Sequence, residues 1–209
     1  MDYVQEQYQV SIATGPNRYP KIFAACKRYH KEIRSSKRLN ILSFGCSTGE
    51  ECFSLAKYFP LAKILGVDTN KDVLAICNKR NTYKNISFSY SNYENIKDRD
   101  PFDMIFCMSV LCKWPETENK KNISNIYSFS IFKNTIYKLD KVLKKNGLLV
   151  IYNSNFRFSE SSTYHKYKVL YIPEVDESGF VPKFDKNNNI IKKRSQPKYD
   201  GCIFIKIIE

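Results

Sequence analysis

The 209-residue sequence lacks several features that would place it at once. No apolar run approaches the roughly 20 residues that cross a bilayer. The opening residues carry no basic segment followed by an apolar one. Neither membrane association nor secretion is expected, and the cytoplasm is the expected location. Histidine is limited to His30 and His165, and the seven cysteines contain no C-x-x-C pair. Clustered zinc ligands are thus missing and no metal is expected. An odd number of irregularly spaced cysteines reads as reduced thiols rather than a disulfide framework.

Acidic residues are also scarce: 21 Asp and Glu stand against 34 Lys and Arg, for a net charge of +13. Such a charge is compatible with an anionic partner. Only 8 of the basic residues are Arg, however, and base and phosphate recognition leans on Arg forks. Abundant Lys, Asn, Ile and Tyr match an AT-rich coding sequence. The charge is read first as a solvated surface, with nucleic acid a possible but not favoured partner.

What is present is a globular composition, 43% hydrophobic and 14% aromatic, with alternating strand and helix patterns. Residues 1–17 read as a polar arm. Apolar positions at helical spacing (Ile22, Phe23, Cys26, Tyr29, Ile33) make 18–36 an N-terminal helix. Strands are expected at 39–44, 62–67, 86–90, 102–108 and 148–152, with helices at 49–58, from Asn70 to Arg80, and at 121–143. Lys145-Asn146-Gly147 is expected to stop the last helix. Strict alternation implies a parallel sheet covered on both faces. The final residues add strands at 168–172 and 202–208, short strands at 180–184 and 190–192 around an Asn-rich turn, and a surface loop at 192–200. A single domain is expected, with residues 37–152 as a cofactor-binding core and 153–209 as substrate-side loops and closing strands. No pattern sets an oligomeric state.

The most informative stretch is ILSFGCSTGEECFSLAKYFP, residues 41–60. A buried strand runs into Gly45-Cys46-Ser47-Thr48-Gly49 and a helix follows at once. Glycines there permit positive φ and close approach of backbone to a ligand, and the helix start offers N–H groups to an anion. No GK[ST] follows, which excludes a P-loop. Asp68, ending the second strand 23 residues after Gly45, is placed to accept both hydroxyls of a ribose.

Together these residues resemble the class I S-adenosylmethionine methyltransferases, and most of all the chemotaxis-receptor glutamate methyltransferases (CheR type). That group carries a GCSTGEE-x-x-SLA segment, matched by residues 45–51 and Ser54-Leu55-Ala56. Its fourth-strand motif FDxIFCRNVL is similar to residues 102–111, and its T-x-x-x-R element to Thr14 and Arg18. The resemblance covers residues 14–152. It implies a Rossmann-like three-layer sandwich with a mostly parallel seven-stranded sheet and an antiparallel C-terminal strand, binding S-adenosylmethionine. By it, Glu50 holds the methionine ammonium, Arg18 its carboxylate, Asp68 the ribose and Asn92 the adenine amino group. Cys46, Ser47, Gly49, Thr69, Tyr93, Cys107 and Met108 complete the expected cofactor shell. Met108-Ser109 stand where the group has Arg-Asn, and room for its extra domains is lacking. Receptor glutamates are therefore not the expected acceptor.

Open α/β sheets build their clefts beyond the strand carboxyl ends, which makes Trp114, Asn153 and Arg157 candidate acceptor contacts. Ser109, Tyr19 and His165 are candidates for a catalytic role. No [DNS]PP[YF] motif follows the fourth strand, which runs Cys107-Met108-Ser109-Val110; this argues against base N-methylation. The expected activity is methyl transfer to a small molecule or a protein or peptide side chain. The alternatives are an RNA-directed methyltransferase and a cofactor-binding regulatory subunit without activity.

Overall fold

The computed structural model describes residues 12–33, 38–175, 179–191 and 201–209. Helix α1 (Pro20–Ile33) precedes an alternating run of β1 (Asn40–Phe44), α2 (Glu50–Tyr58), β2 (Lys63–Asp68), α3 (Lys71–Arg80), β3 (Ile86–Tyr90), α4 (Tyr93–Lys97) and β4 (Phe102–Met108). Helix α5 (Phe129–Val142), β5 (Leu143–Tyr152), β6 (Tyr167–Val169) and β7 (Ile203–Lys206) complete it. The strands form one sheet in the order β3-β2-β1-β4-β5-β7-β6. β3, β2, β1, β4 and β5 run parallel, and β7 is antiparallel to both neighbours. The expected Rossmann-like sandwich is therefore present.

Alternation along each strand sends side chains to opposite layers. Ile41, Ile64, Met104, Phe106 and Val150 pack with α1, α2 and α3 through Phe23, Cys26, Leu55 and Leu74. Their neighbours Leu42, Val67, Ile105, Cys107 and Leu149 pack on the other face with Phe132, Ile136 and Leu139 of α5. Each such buried side chain is worth about 1.5–3 kcal/mol of transfer free energy. The reversed strand is tied in by charge. Lys206 of β7 is buried, donates to the carbonyls of Asp140 and Leu143, and pairs with the Asp140 carboxylate at 3.2 Å.

Several boundaries differ from expectation. Residues 121–128 are not helical. Asn122 bridges to Asn189, Ile123 N–H donates to Asn188, and the Asn188 side chain accepts from Phe129 N–H at 2.7 Å. Long-range pairing with the Asn-rich turn thus overrides the local helical pattern and sets the start of α5. Lys145-Asn146-Gly147 does not stop that helix. It lies inside β5, with Asn146 at φ 61°, where the β4–β5 register shifts between Phe102 and Met104. Residues 180–184 and 190–191 form no strand; they join through the isolated Phe184–Ile190 bridge and the Ile191 N–H bond to the Lys183 carbonyl, and the strands expected at 168–172 and 202–208 are shorter. Residues 1–11 of the arm, 34–36 of the first helix and the 192–200 loop lie outside the described residues. Among the described residues, no helix is long and apolar enough to cross a membrane, and no group of His, Cys, Asp and Glu is arranged for a metal.

Candidate functional site

At the carboxyl ends of β1, β2 and β4 lies a cleft open to solvent. Its floor is the turn after β1. Gly45 (φ 78°) and Cys46 both donate backbone N–H to the Val67 carbonyl, at 2.8 and 2.9 Å. Ser47 (φ 47°) and Gly49 (φ 93°) then reverse the chain into α2. Positive φ favours glycine at two of these three positions. At Gly45 a Cβ would also lie 2.3 Å from Val110 Cγ2.

Asp68 closes β2 across from this turn. Its carboxylate accepts Ser47 N–H and Asn70 N–H, both at 2.9 Å. Asn70, not Asp68, caps α3, accepting from Asp72 and Val73. Thr69 and Ser91 line the cleft beside it. The arm covers the opposite wall with Thr14 and Arg18; Arg18 donates to the Ala13 carbonyl at 3.0 Å and lies over the Tyr19 ring.

The adjacent acids Glu50 and Glu51 face different ways. Glu50 lies outside the cleft lining. It accepts from Arg80 at 2.6 Å and from the Thr48 hydroxyl at 2.5 Å. Partial burial opposes its ionisation, but those two hydrogen bonds, a backbone hydrogen bond and the Arg80 charge together outweigh it and hold the carboxyl below its ordinary value. Glu51 lines the cleft wall and accepts from the Ser43 hydroxyl at 2.7 Å. Burial pushes its carboxyl up to about 7, only partly offset by that bond. Sequence reasoning missed Glu51, although helical phase marks it: it lies one turn before the buried Leu55, on the inward face of α2.

On the β4–β5 side, Ser109 (φ 58°) holds its hydroxyl 2.8 Å from the Tyr19 hydroxyl and 3.0 Å from Asn153 Nδ2. The Asn153 side-chain oxygen Oδ1 accepts N–H groups from Phe180 and Val181, both at 3.0 Å. The Tyr19 ring lies tilted against Tyr152 with centroids 5.2 Å apart, and burial raises its phenol above the ordinary value despite the Ser109 bond.

The structure therefore gathers Thr14, Arg18, Tyr19, Gly45, Cys46, Ser47, Asp68, Thr69, Met108 and Ser109 around one cleft. Other expected residues lie elsewhere. Gly49 supports the turn from outside the lining. Asn92 caps α4, accepting from Asn95 N–H at 2.7 Å, and Tyr93 packs on the second core. Cys107 points into that same core because it alternates with Met108 along β4. Trp114 meets Phe180 edge-on at 5.5 Å, and Arg157 lines a separate small crevice beside Lys183. His165 is exposed and bonded to the Ser162 carbonyl.

A parallel sheet with a glycine turn after β1 and an acid closing β2 defines a Rossmann-like nucleotide-cofactor domain. A family model described as a methyltransferase domain matches residues 35–197, and the chain belongs to that family. It is similar to the ubiquinone biosynthesis O-methyltransferase of Bradyrhizobium diazoefficiens, at 24% identity over 137 residues, covering 63% of this chain and 47% of that protein. It is also 33% identical over 67 residues to a malonyl-[acyl-carrier protein] O-methyltransferase of Bacillus cereus, covering 32% of this chain and 25% of that one. The chain thus spans less than half the length of these relatives. Among solved structures, it is similar to the plantazolicin methyltransferase BpumL in complex with a desmethylPZN analog and SAH, with a TM-score of 0.46, 17% identity, and coverage of 63% and 46%. PKMT2 from Rickettsia typhi gives a TM-score of 0.48 at 18% identity, covering 65% of this chain and 26% of that one.

Proposed function

We propose that this chain is a single-domain, cytoplasmic methyltransferase that uses S-adenosylmethionine to methylate a small molecule or a peptide side chain. The observation that carries the reading is a pair of carboxylates, Asp68 and Glu51, lining one cleft around the Gly45 turn. Asp68 suits a ribose, and the adjoining Thr69 and Ser91 the adenine end, with Ser91 in the place expected of Asn92. Glu51 suits an ammonium, because a cation beside it supplies the favourable charge that burial denies it. Glu51 thereby takes the role that the resemblance gives to Glu50. Arg18 and the α2 start serve the carboxylate. Seven free thiols, all buried, support the location. The likeness to the CheR type is kept for the cofactor turn alone.

When bound there, S-adenosylmethionine supplies a methyl group on a positively charged sulfur. The chain's task is alignment, which can lower a barrier by roughly 7–11 kcal/mol. Tyr19, Ser109 and Asn153 form a hydrogen-bonded row on the acceptor side. Tyr19 keeps its proton at neutral pH, so it orients an acceptor by hydrogen bonding rather than by removing a proton.

The test is calorimetric titration with S-adenosylmethionine, SAH and NAD, alongside Asp68→Ala. Binding of both sulfur nucleotides but not NAD, lost in the variant, is expected. Binding of neither sulfur nucleotide overturns the reading. A second reading, RNA-directed methylation, is favoured by a groove at the opposite ends of the strands. There Arg38, Lys63, Lys84 and Arg99 face one acid, Asp100. Steep salt-dependent retention on heparin supports that partner; elution at low salt removes it.

A further inference from the structure

The cofactor reading leaves one cluster of nucleophiles unused. Cys46 of the turn, Cys52 of α2 and Cys77 of α3 lie beneath the Gly45 loop, where the other two are near enough to Cys46 to raise its thiol. The Cys77 thiol donates to the Ser47 carbonyl at 3.0 Å, and Cys46 Sγ lies 3.7 Å from the same oxygen. Thiols sealed among apolar side chains are ordinarily inert, as expected for Cys26, Cys107, Cys112 and Cys202, all fully buried and outside the cleft lining. Cys46 differs because it lines the cleft wall, where a small oxidant can meet it. Its hydrogen bond also favours the thiolate of Cys77 over the opposing effects of burial, Asp68 and Glu50. A second sulfur therefore stands beside the one that meets the oxidant, both on the Ser47 carbonyl.

We propose that Cys46 and Cys77 form a reversible oxidation site, whose disulfide distorts the cofactor turn and closes the cleft to its nucleotide. The closing effect rests on the proposed reading of that cleft. With a peroxide as oxidant, the Cys46 sulfur at the cleft wall gives up its proton and attacks one peroxide oxygen, the O–O bond breaks and hydroxide leaves. The neighbouring Cys77 sulfur then attacks the Cys46 sulfenic sulfur, the oxygen leaves as hydroxide and the S–S bond forms. The two thiol protons depart with the oxygens, so two thiols and one peroxide give one disulfide and two waters. Bonding shortens a non-bonded sulfur contact to about 2.05 Å. It draws Cys46 toward α3 and shifts the neighbouring Ser47 N–H, which Asp68 holds at 2.9 Å. A nucleotide already in the cleft covers Cys46 and slows the reaction.

The experiment treats the full chain with hydrogen peroxide, with and without SAH, and follows it by intact mass, peptide mapping and SAH calorimetry. The expected result is loss of two hydrogens, a Cys46–Cys77 cross-linked peptide, and SAH affinity reduced by roughly tenfold or more, restored by dithiothreitol. Bound SAH protects. Cys77→Ser replaces the thiol donor to the Ser47 carbonyl with a hydroxyl, keeps SAH affinity, and forms no cross-link and no longer loses that affinity under peroxide. A Cys46–Cys52 cross-link, no cross-link, or a disulfide without effect on affinity overturns the proposal. If the reduced wild type binds no SAH, the cofactor reading fails and takes the gating with it, while peptide mapping still decides the disulfide.

Discussion

The two sides of the cleft are built differently. On the β1–β2 side, Gly45, Cys46, Ser47, Glu51 and Asp68 come from one strand–turn–helix–strand run. Their placement follows from backbone conformation, above all the positive φ angles of the turn. On the β4–β5 side, Tyr19, Ser109, Asn153 and the Phe180 backbone arrive from four separate segments joined by side-chain hydrogen bonds. The first side is a single local unit with little tolerance. The second is an assembly whose links, each worth about 1 kcal/mol, can be removed one at a time.

Four substitutions test that contrast. The largest effect is expected from Gly45→Ala, which sets a Cβ 2.3 Å from Val110 at φ 78°. Overpacking alone costs about 1–3 kcal/mol, and the left-handed backbone adds about 1–2 kcal/mol. Urea denaturation should register the loss, and SAH binding should vanish. Wild-type affinity in this variant would mean that the turn yields, and the contrast breaks.

Glu51 gives the next effect, through pH. Its carboxyl titrates at about 7 when folded, against 4.5 ordinarily. Between those values the folded chain keeps a proton that the unfolded chain has lost, so stability falls as pH rises from 4.5 to about 7 and then levels. The total is roughly 3 kcal/mol. Glu51→Gln should flatten that slope in melts taken across the range. SAH affinity should rise as ionisation proceeds, and the same variant should remove the rise.

Asn153→Ala should cost about 2 kcal/mol, because the Phe180 and Val181 N–H groups lose their acceptor. SAH affinity should stay within roughly threefold, since each side acts alone when sites share no partners. A parallel fall in affinity would join the two halves. Glu50→Gln should matter least, with SAH affinity changed by less than roughly threefold, because its partner is the half-exposed Arg80. A larger loss would return the ammonium to Glu50.

The difference between the halves also explains what could be read in advance. The Gly45–Gly49 turn, Asp68 and the Asn70 cap were legible because each depends on neighbours within a few residues. Glu51 was legible in principle through helical phase, yet two adjacent acids looked alike until one was buried. The resemblance implies cofactor roles for Asn92 and Cys107. The α4 cap takes the first, and strand alternation turns the second away from the cleft. The helix expected at 121–143 lost its first turns to Asn188 and Asn189, distant in sequence and invisible to any local pattern.

Hydrophobic periodicity, turn residues and caps by themselves determined the alternating α/β order, the parallel core of the sheet and the position of the cofactor turn, because those forces act over a few residues. Only the tertiary structure decided which carboxylate faces the cleft and where α5 begins. It also decided that Tyr19, Ser109 and Asn153 meet, and that Cys46 and Cys77 share one carbonyl. Each of those outcomes depends on burial or on a hydrogen bond between segments that only packing brings together.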